Sequence, residues 1–196
     1  MIKLIGFYDY TVILTYLSLV SAVVEIFLAS HGRFTAAVLC LVLSGICDAF
    51  DGMVARSKKN RTEDEKAFGI QIDSLCDAVA FGVAPAMLCY HMGMKGPLGI
   101  VILCTYSLCG VIRLAFFNVL EGKRQQTEGG CNKFYRGLPI TTSSMILPLI
   151  YLIGLFLPAR IFRVVLHLVM AVTAFLFILD FSVKKPDWGK ILSGAK

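Results

Sequence analysis

Apolar residues along this chain collect into long runs broken by a few polar gaps, with no sustained alternation of apolar and polar positions. A hydrocarbon core about 30 Å thick needs roughly 20 apolar residues per helix. Cutting the sequence at its gaps gives six candidate spans, at 11–30, 34–56, 69–93, 97–119, 138–157 and 160–182. The gaps at 57–68 and 120–137 are long and those at 31–33, 94–96 and 158–159 are short, so the spans are expected to form hairpins whose long loops share one side. Met1–Tyr10 is apolar and aromatic with one lysine, too short to span, and is expected to lie along the interface as a lead-in. No small-residue cleavage pattern follows its charged start, so it does not read as a signal peptide. The expected fold class is all-α: an integral membrane protein of six transmembrane helices with a short N-terminal interfacial segment, residues 1–196 forming one domain without internal repeats.

Composition agrees. The chain is 57% hydrophobic and 16% charged with mean hydropathy +0.76, which excludes a soluble α/β enzyme, a disordered chain and a collagen-like fibre. Six of the seven cysteines (Cys40, Cys47, Cys76, Cys89, Cys104, Cys109) sit inside apolar runs with no CxxC pair and read as packing residues; Cys131 falls in a loop. The net charge of +6 does not indicate nucleic acid, because the cations lie in the gaps. The N-terminus, the two long loops and the C-terminus together hold 14 Lys and Arg, the opposite side holds four, and Arg113 lies within a span. The positive-inside rule therefore puts both termini and both long loops in the cytoplasm, at the cell membrane.

Four carboxylates break the apolar pattern: Asp48, Asp51, Asp73 and Asp77. At 1.5 Å per residue, Asp51 and Asp48 lie roughly 7 to 12 Å from the cytoplasmic end of span two, and Asp73 and Asp77 about 6 and 12 Å into span three. All four share one depth. Asp48, Asp51, Gly52 and Ala55 follow i, i+3, i+4, i+7, and Asp73 and Asp77 are i, i+4, so each set occupies one helical face. Four such charges in one pocket repel unless cations neutralise them. Oxygen-only ligation selects hard divalent ions such as Mg²⁺, Mn²⁺ or Ca²⁺, and a pair of them sharing carboxylates suits displacement at phosphorus. Gly52, Ala55 and Gly69 leave open volume beside the aspartates where a phosphate or nucleotide can approach.

Written out, Asp48 to Asp77 reads D-x2-D-G-x2-A-R-x12-G-x3-D-x3-D, which resembles the signature of the CDP-alcohol phosphatidyltransferases. The resemblance implies a homodimeric six-helix membrane enzyme with a cytoplasm-facing site. It implies two divalent metal ions, Mg²⁺ or Mn²⁺, with Ca²⁺ as a non-productive ligand, and transfer of a phosphatidyl group from CDP-diacylglycerol to an alcohol with release of CMP. Carried over by position, Asp48, Asp51, Asp73 and Asp77 look like metal ligands, and Asp77 like the catalytic base toward the acceptor hydroxyl. Gly52, Ala55, Arg56 and Gly69 look like nucleotide-binding positions. Thr15, in the surviving Leu14-Thr15 pair of span one, is a further nucleotide-side candidate, although the Pro-Asn that members often carry there is missing. The gap between Arg56 and Gly69 is longer than in many members, so contacts from Lys58 to Lys66 do not transfer.

Three further stretches look like the phosphatidylserine synthase branch: Asp73-Ser74-Leu75-Cys76-Asp77 running on to Phe81-Gly82-Val83-Ala84-Pro85, Arg113-Leu114-Ala115-Phe116-Phe117-Asn118, and Tyr135-Arg136-Gly137-Leu138-Pro139. Phe116 stands where that branch commonly has a second arginine. The branch implies L-serine as acceptor, in the membrane's own lipid synthesis. Arg113, the lone cation deep in a span, is the candidate for the serine carboxylate because its planar fork suits two parallel hydrogen bonds; Asn118 is expected to assist, and pairing of Arg113 with one of the aspartates is the structural alternative. Rival readings are another acceptor, glycerol 3-phosphate or an inositol phosphate, and, from a different class, a cation- or proton-coupled transporter. His31, His91 and His167 share no spacing and read as packed or interfacial; Glu25 and Asp180 carry no assignment.

Overall fold

A computed structural model of the chain describes residues 6–7, 10–58, 62–127 and 134–184. Its helices are α1 (Ile13–Ser30), α2 (Phe34–Ser57), α3 (Glu63–Asp77), α4 (Ala84–His91), α5 (Pro97–Thr127), α6 (Ser143–Gly154) and α7 (Ala159–Ile178). A π-helical turn, Ala78–Val83, joins α3 to α4, so the two form one rod from Glu63 to His91. Among the described residues, five helices are long and apolar enough to cross a membrane: α1, α2, the α3–α4 rod, α5 and α7. The fifth expected span is shorter. A 3-10 turn at Ile140–Thr142 leads into α6, which carries Pro148 inside it; the apolar helix Ile140–Gly154 reaches only about 22 Å at 1.5 Å per residue.

Other boundaries also moved, each for a local reason. Helix α3 begins at Glu63 inside the expected 57–68 gap, because Thr62 and Glu65 form a capping box: Thr62 Oγ1 accepts from the Glu65 amide at 3.2 Å and Glu65 Oε2 from the Thr62 amide at 3.0 Å. Glu63, Asp64 and Glu65 fill the first turn, where acidic side chains suit the helix dipole. Helix α5 runs to Thr127, past the expected end at 119, through Glu, Lys, Arg and Gln residues that favour helix outside the membrane. Helix α7 stops at Ile178, where Leu179 turns extended. The chain then forms β2 (Ser182–Lys184), antiparallel to β1 (Phe134–Arg136), so the expected all-α bundle carries one two-stranded ribbon. Gly137 ends β1 at φ +66°, donating to the Phe181 carbonyl at 2.6 Å, a conformation glycine adopts without strain.

Large apolar side chains cover the outside of the bundle as well as its centre. Phe27, Leu39, Leu98, Leu155 and Phe156 point outward, as lipid-facing positions do, while Thr15, Ser18, Ser21, Glu25 and Ser44 are buried between helices. Helices α1 and α2 form a hairpin around His31, Gly32 and Arg33, and their seam is closed by hydroxyls: Ser18 Oγ donates to the Ser44 carbonyl at 3.3 Å, Ser44 Oγ to the Ser18 carbonyl at 3.0 Å, and Ser21 Oγ to the Cys40 carbonyl at 2.9 Å. Leu41, Phe81, Leu88, Tyr106, Leu166 and Met170 fill the centre. The expected interfacial segment Met1–Tyr10 lies outside the described residues apart from Gly6, Phe7 and Tyr10; Phe7 packs edge-on against Phe68 of α3 at 5.4 Å.

Candidate metal and nucleotide site

The α2–α3 pair brings Asp48, Asp73 and Asp77 together, with Asp51 beside Asp73. Asp48, Asp73 and Asp77 each offer a carboxylate oxygen within 4.8 Å of the others. Across the two helices, Asp48 faces Asp77 and Asp51 faces Asp73. Asp51 is tied to α1, its Oδ2 accepting the Thr15 hydroxyl at 3.1 Å. Asp73 Oδ1 is buried and accepts no hydrogen bond. Acceptor-only groups held this close repel, and a buried oxygen without a donor is costly. A hard cation ligated by oxygen relieves both costs, and the donor set fits one.

Gly52 is exposed and Gly69 half-buried on the same two helices, leaving backbone accessible beside the carboxylates. Ala55 and Arg56 continue α2, but their side chains lie outside the described residues, as do Tyr135, Arg136 and Cys131. Lys58 caps this end of the hairpin by pairing with Glu65 at 3.0 Å. On α5, the Asn118 Oδ1 accepts from Ser74 Oγ at 2.9 Å, fixing the residue next to Asp73.

Arg113 takes a different direction from Asn118. Five residues apart on one helix, the two are separated by about 140° around the axis. Arg113 turns toward α7: its Nη1 donates to the Phe177 carbonyl at 3.5 Å, and its guanidinium lies over the Phe117 ring at 4.5 Å. It lines a cavity of about 320 Å³ with Phe116, Phe177 and Asp180. Gly137 packs so close that an added Cβ would come within 2.7 Å of Arg113 Nη1. The two side chains therefore leave α5 on different sides, Asn118 toward α3 and Arg113 toward α7, because a five-residue spacing does not match the helical repeat.

Sequence reasoning passed over two residues. Tyr106 and Ser107 of α5 donate to the Phe81 and Gly82 carbonyls at 2.6 and 3.0 Å, at the π-helical turn beside Asp77. The signal was Pro85, which has no amide hydrogen to offer the carbonyl four residues back, Phe81.

Aspartates converging between two helices, one of their oxygens without a donor, define a carboxylate site suited to a divalent cation inside an integral membrane protein. The chain belongs to the CDP-alcohol phosphatidyltransferase family, whose match covers residues 10–183. It is 35% identical over 155 residues to an archaetidylserine synthase of Methanothermobacter thermautotrophicus, covering 79% of this chain and 62% of that one. It is 38% identical over 130 residues to a CDP-diacylglycerol--serine O-phosphatidyltransferase of Saccharomyces cerevisiae, covering 62% and 46%. With the Bacillus subtilis protein of the latter name it shares 44% over 90 residues, 45% and 49% of the two chains. The matches thus span less than two thirds of each of these relatives. No solved structure matches the chain.

Proposed function

We propose that this protein transfers a phosphatidyl group from CDP-diacylglycerol to the hydroxyl of L-serine, giving phosphatidylserine and CMP. The observation that carries the reading is the aspartate set with its donor-free Asp73 Oδ1, on a chain whose relatives are named for serine transfer. In this reading Asp48, Asp51, Asp73 and Asp77 hold two divalent cations, Mg²⁺ or Mn²⁺. Such ions, when bound, polarise phosphoryl oxygens and neutralise the leaving phosphate. Asp77 takes the proton of the serine hydroxyl as the new serine oxygen–phosphorus bond forms and the bond from phosphorus to the CMP oxygen breaks. Gly52 and Gly69 admit the diphosphate close to the backbone, Ala55 and Arg56 flank the nucleotide, and Thr15 holds Asp51 in place at its edge. Arg113 binds the serine carboxylate through its fork, and Asn118, whose oxygen is engaged by Ser74, contributes its amide nitrogen on the α3 side.

The whole chain acts as one domain, as a homodimer, in the cell membrane, with both termini and the site on the cytoplasmic side. The charge bias supports that orientation, and labelling Lys58→Cys and Lys95→Cys from opposite sides of sealed vesicles checks it. The decisive assay offers the purified protein CDP-diacylglycerol with serine, glycerol 3-phosphate, an inositol phosphate or inositol, measuring CMP and the lipid formed. CMP release only with serine is expected. Transfer to a phosphorylated alcohol removes the acceptor assignment, and ion flux without CMP release removes the enzyme reading.

A further inference from the structure

The turn that follows Asp77 is wound as a π-helix, with the Ala84 amide donating to the Val79 carbonyl five residues back. Such turns are uncommon and need outside support, because the wider winding leaves backbone groups mismatched. The sequence explains the winding. In a continuous α-helix the Phe81 carbonyl would accept from residue 85, but residue 85 is proline, which lacks the hydrogen and whose ring pushes that carbonyl away. A carbonyl without a donor in the middle of a membrane bundle is expensive. Tyr106, fully buried on α5, supplies the donor: its hydroxyl reaches the Phe81 oxygen at 2.6 Å. Ser107 does the same for the Gly82 oxygen at 3.0 Å while also donating to its own Leu103 carbonyl at 3.1 Å.

The position of this turn gives it consequence. Asp77 is the residue immediately before it, while α4 beyond it is anchored in the core by Ala84, Leu88 and Cys89. Since side-chain direction on a helix follows its winding, the width of the turn sets how the carboxylate of Asp77 is aimed relative to the anchored α4. We propose that Tyr106 is a positioning residue for the aspartate site: by satisfying the carbonyl that Pro85 leaves without a donor, it holds the π-helical turn that directs Asp77 toward Asp48 and Asp73. The inference rests on the reading of these aspartates as cation ligands.

Titration of purified full-length protein with Mn²⁺, following the paramagnetic resonance signal of the free ion, tests it independently of turnover. Tyr106→Phe keeps the ring and removes the hydroxyl, and should weaken Mn²⁺ binding about tenfold, the scale of one lost buried hydrogen bond. Ser107→Ala should weaken it less, since the residue four positions after Gly82 is an alanine, which keeps its amide hydrogen, rather than a proline. Pro85→Ala restores a backbone donor for Phe81, so adding it to Tyr106→Phe should recover most of the lost affinity. Unchanged Mn²⁺ binding in a folded Tyr106→Phe protein, with Asp48→Asn abolishing it, overturns the positioning role and leaves the metal reading intact. Equal loss in Tyr106→Phe and in the double variant also overturns it, because Tyr106 would then act through packing. Failure of the unaltered protein to bind Mn²⁺ overturns both readings.

Discussion

Two polar seams meet on α2, one turn apart. At Ser44 the seam with α1 is closed: every hydroxyl in it finds a carbonyl on the opposite helix, and Ser18 and Ser44 do so reciprocally. At Asp48 the seam with α3 is open: carboxylates face carboxylates, and Asp73 Oδ1 has no donor. Thr15 joins the two, since the α1 face that carries Ser18 and Ser21 delivers its next hydroxyl to Asp51. The hydroxyl–carbonyl pairs of the first kind are satisfied within the protein and act as helix-packing adhesive, although Glu25, one turn further along α1, keeps two buried oxygens without a hydrogen bond. Polarity of the second kind is incomplete and calls for a cation from outside. Buried polar groups in a membrane protein are therefore better judged by whether donors and acceptors balance than by their number.

Unbalancing the open seam should give the largest effect. Asp73→Asn replaces a carboxylate oxygen with an amide that donates, and should lower the kcat of the proposed transfer more than about a hundredfold, the scale of losing several kcal/mol of electrostatic stabilisation. The protein should stay folded, because the change relieves repulsion; a thermal melt in detergent run beside the activity assay checks both parts. Chelation with EDTA should silence the unaltered enzyme and Mg²⁺ or Mn²⁺ should restore it. A metal-independent residual rate would merge the two seams into one structural class.

Arg113→Lys should have an intermediate effect. The ammonium keeps the charge and loses the fork, so the KM for serine should rise about tenfold while the KM for CDP-diacylglycerol stays near its original value. Equal weakening of both, with a lowered melting temperature, would place Arg113 with the closed, structural kind of polarity through its contacts to Phe177 and Phe117. Ser44→Ala should do least: about 0.6 kcal/mol of stability lost, the mean worth of an interhelix hydrogen bond in a membrane protein, with kcat unchanged. A fall in kcat there without a stability change would mean that the closed seam transmits to the site.

Much of this arrangement is legible in the sequence. Five of the six apolar runs became membrane-length helices, because a run of that length admits few other structures in lipid. The aspartates converged because their i, i+3 and i, i+4 spacings put them on single faces of adjacent helices. The start of α3 was also legible through Thr62 and Glu65, although the polar composition of residues 57–68 masks it. The short α6 and the ribbon were not, since hydropathy registers apolar length but not the interruptions at Pro139 and Pro148 or a pairing between segments about fifty residues apart.

The sequence by itself determined the class of protein and the helix faces that the carboxylates occupy, because these follow from run length and helical period, which are local. Only the tertiary structure decided that Thr15 meets Asp51, that Asn118 holds Ser74 while Arg113 turns to α7, and that Tyr106 closes the carbonyl opposite Pro85. Each of those joins residues on different helices, and no spacing within one helix fixes the rotation and height at which its neighbour packs.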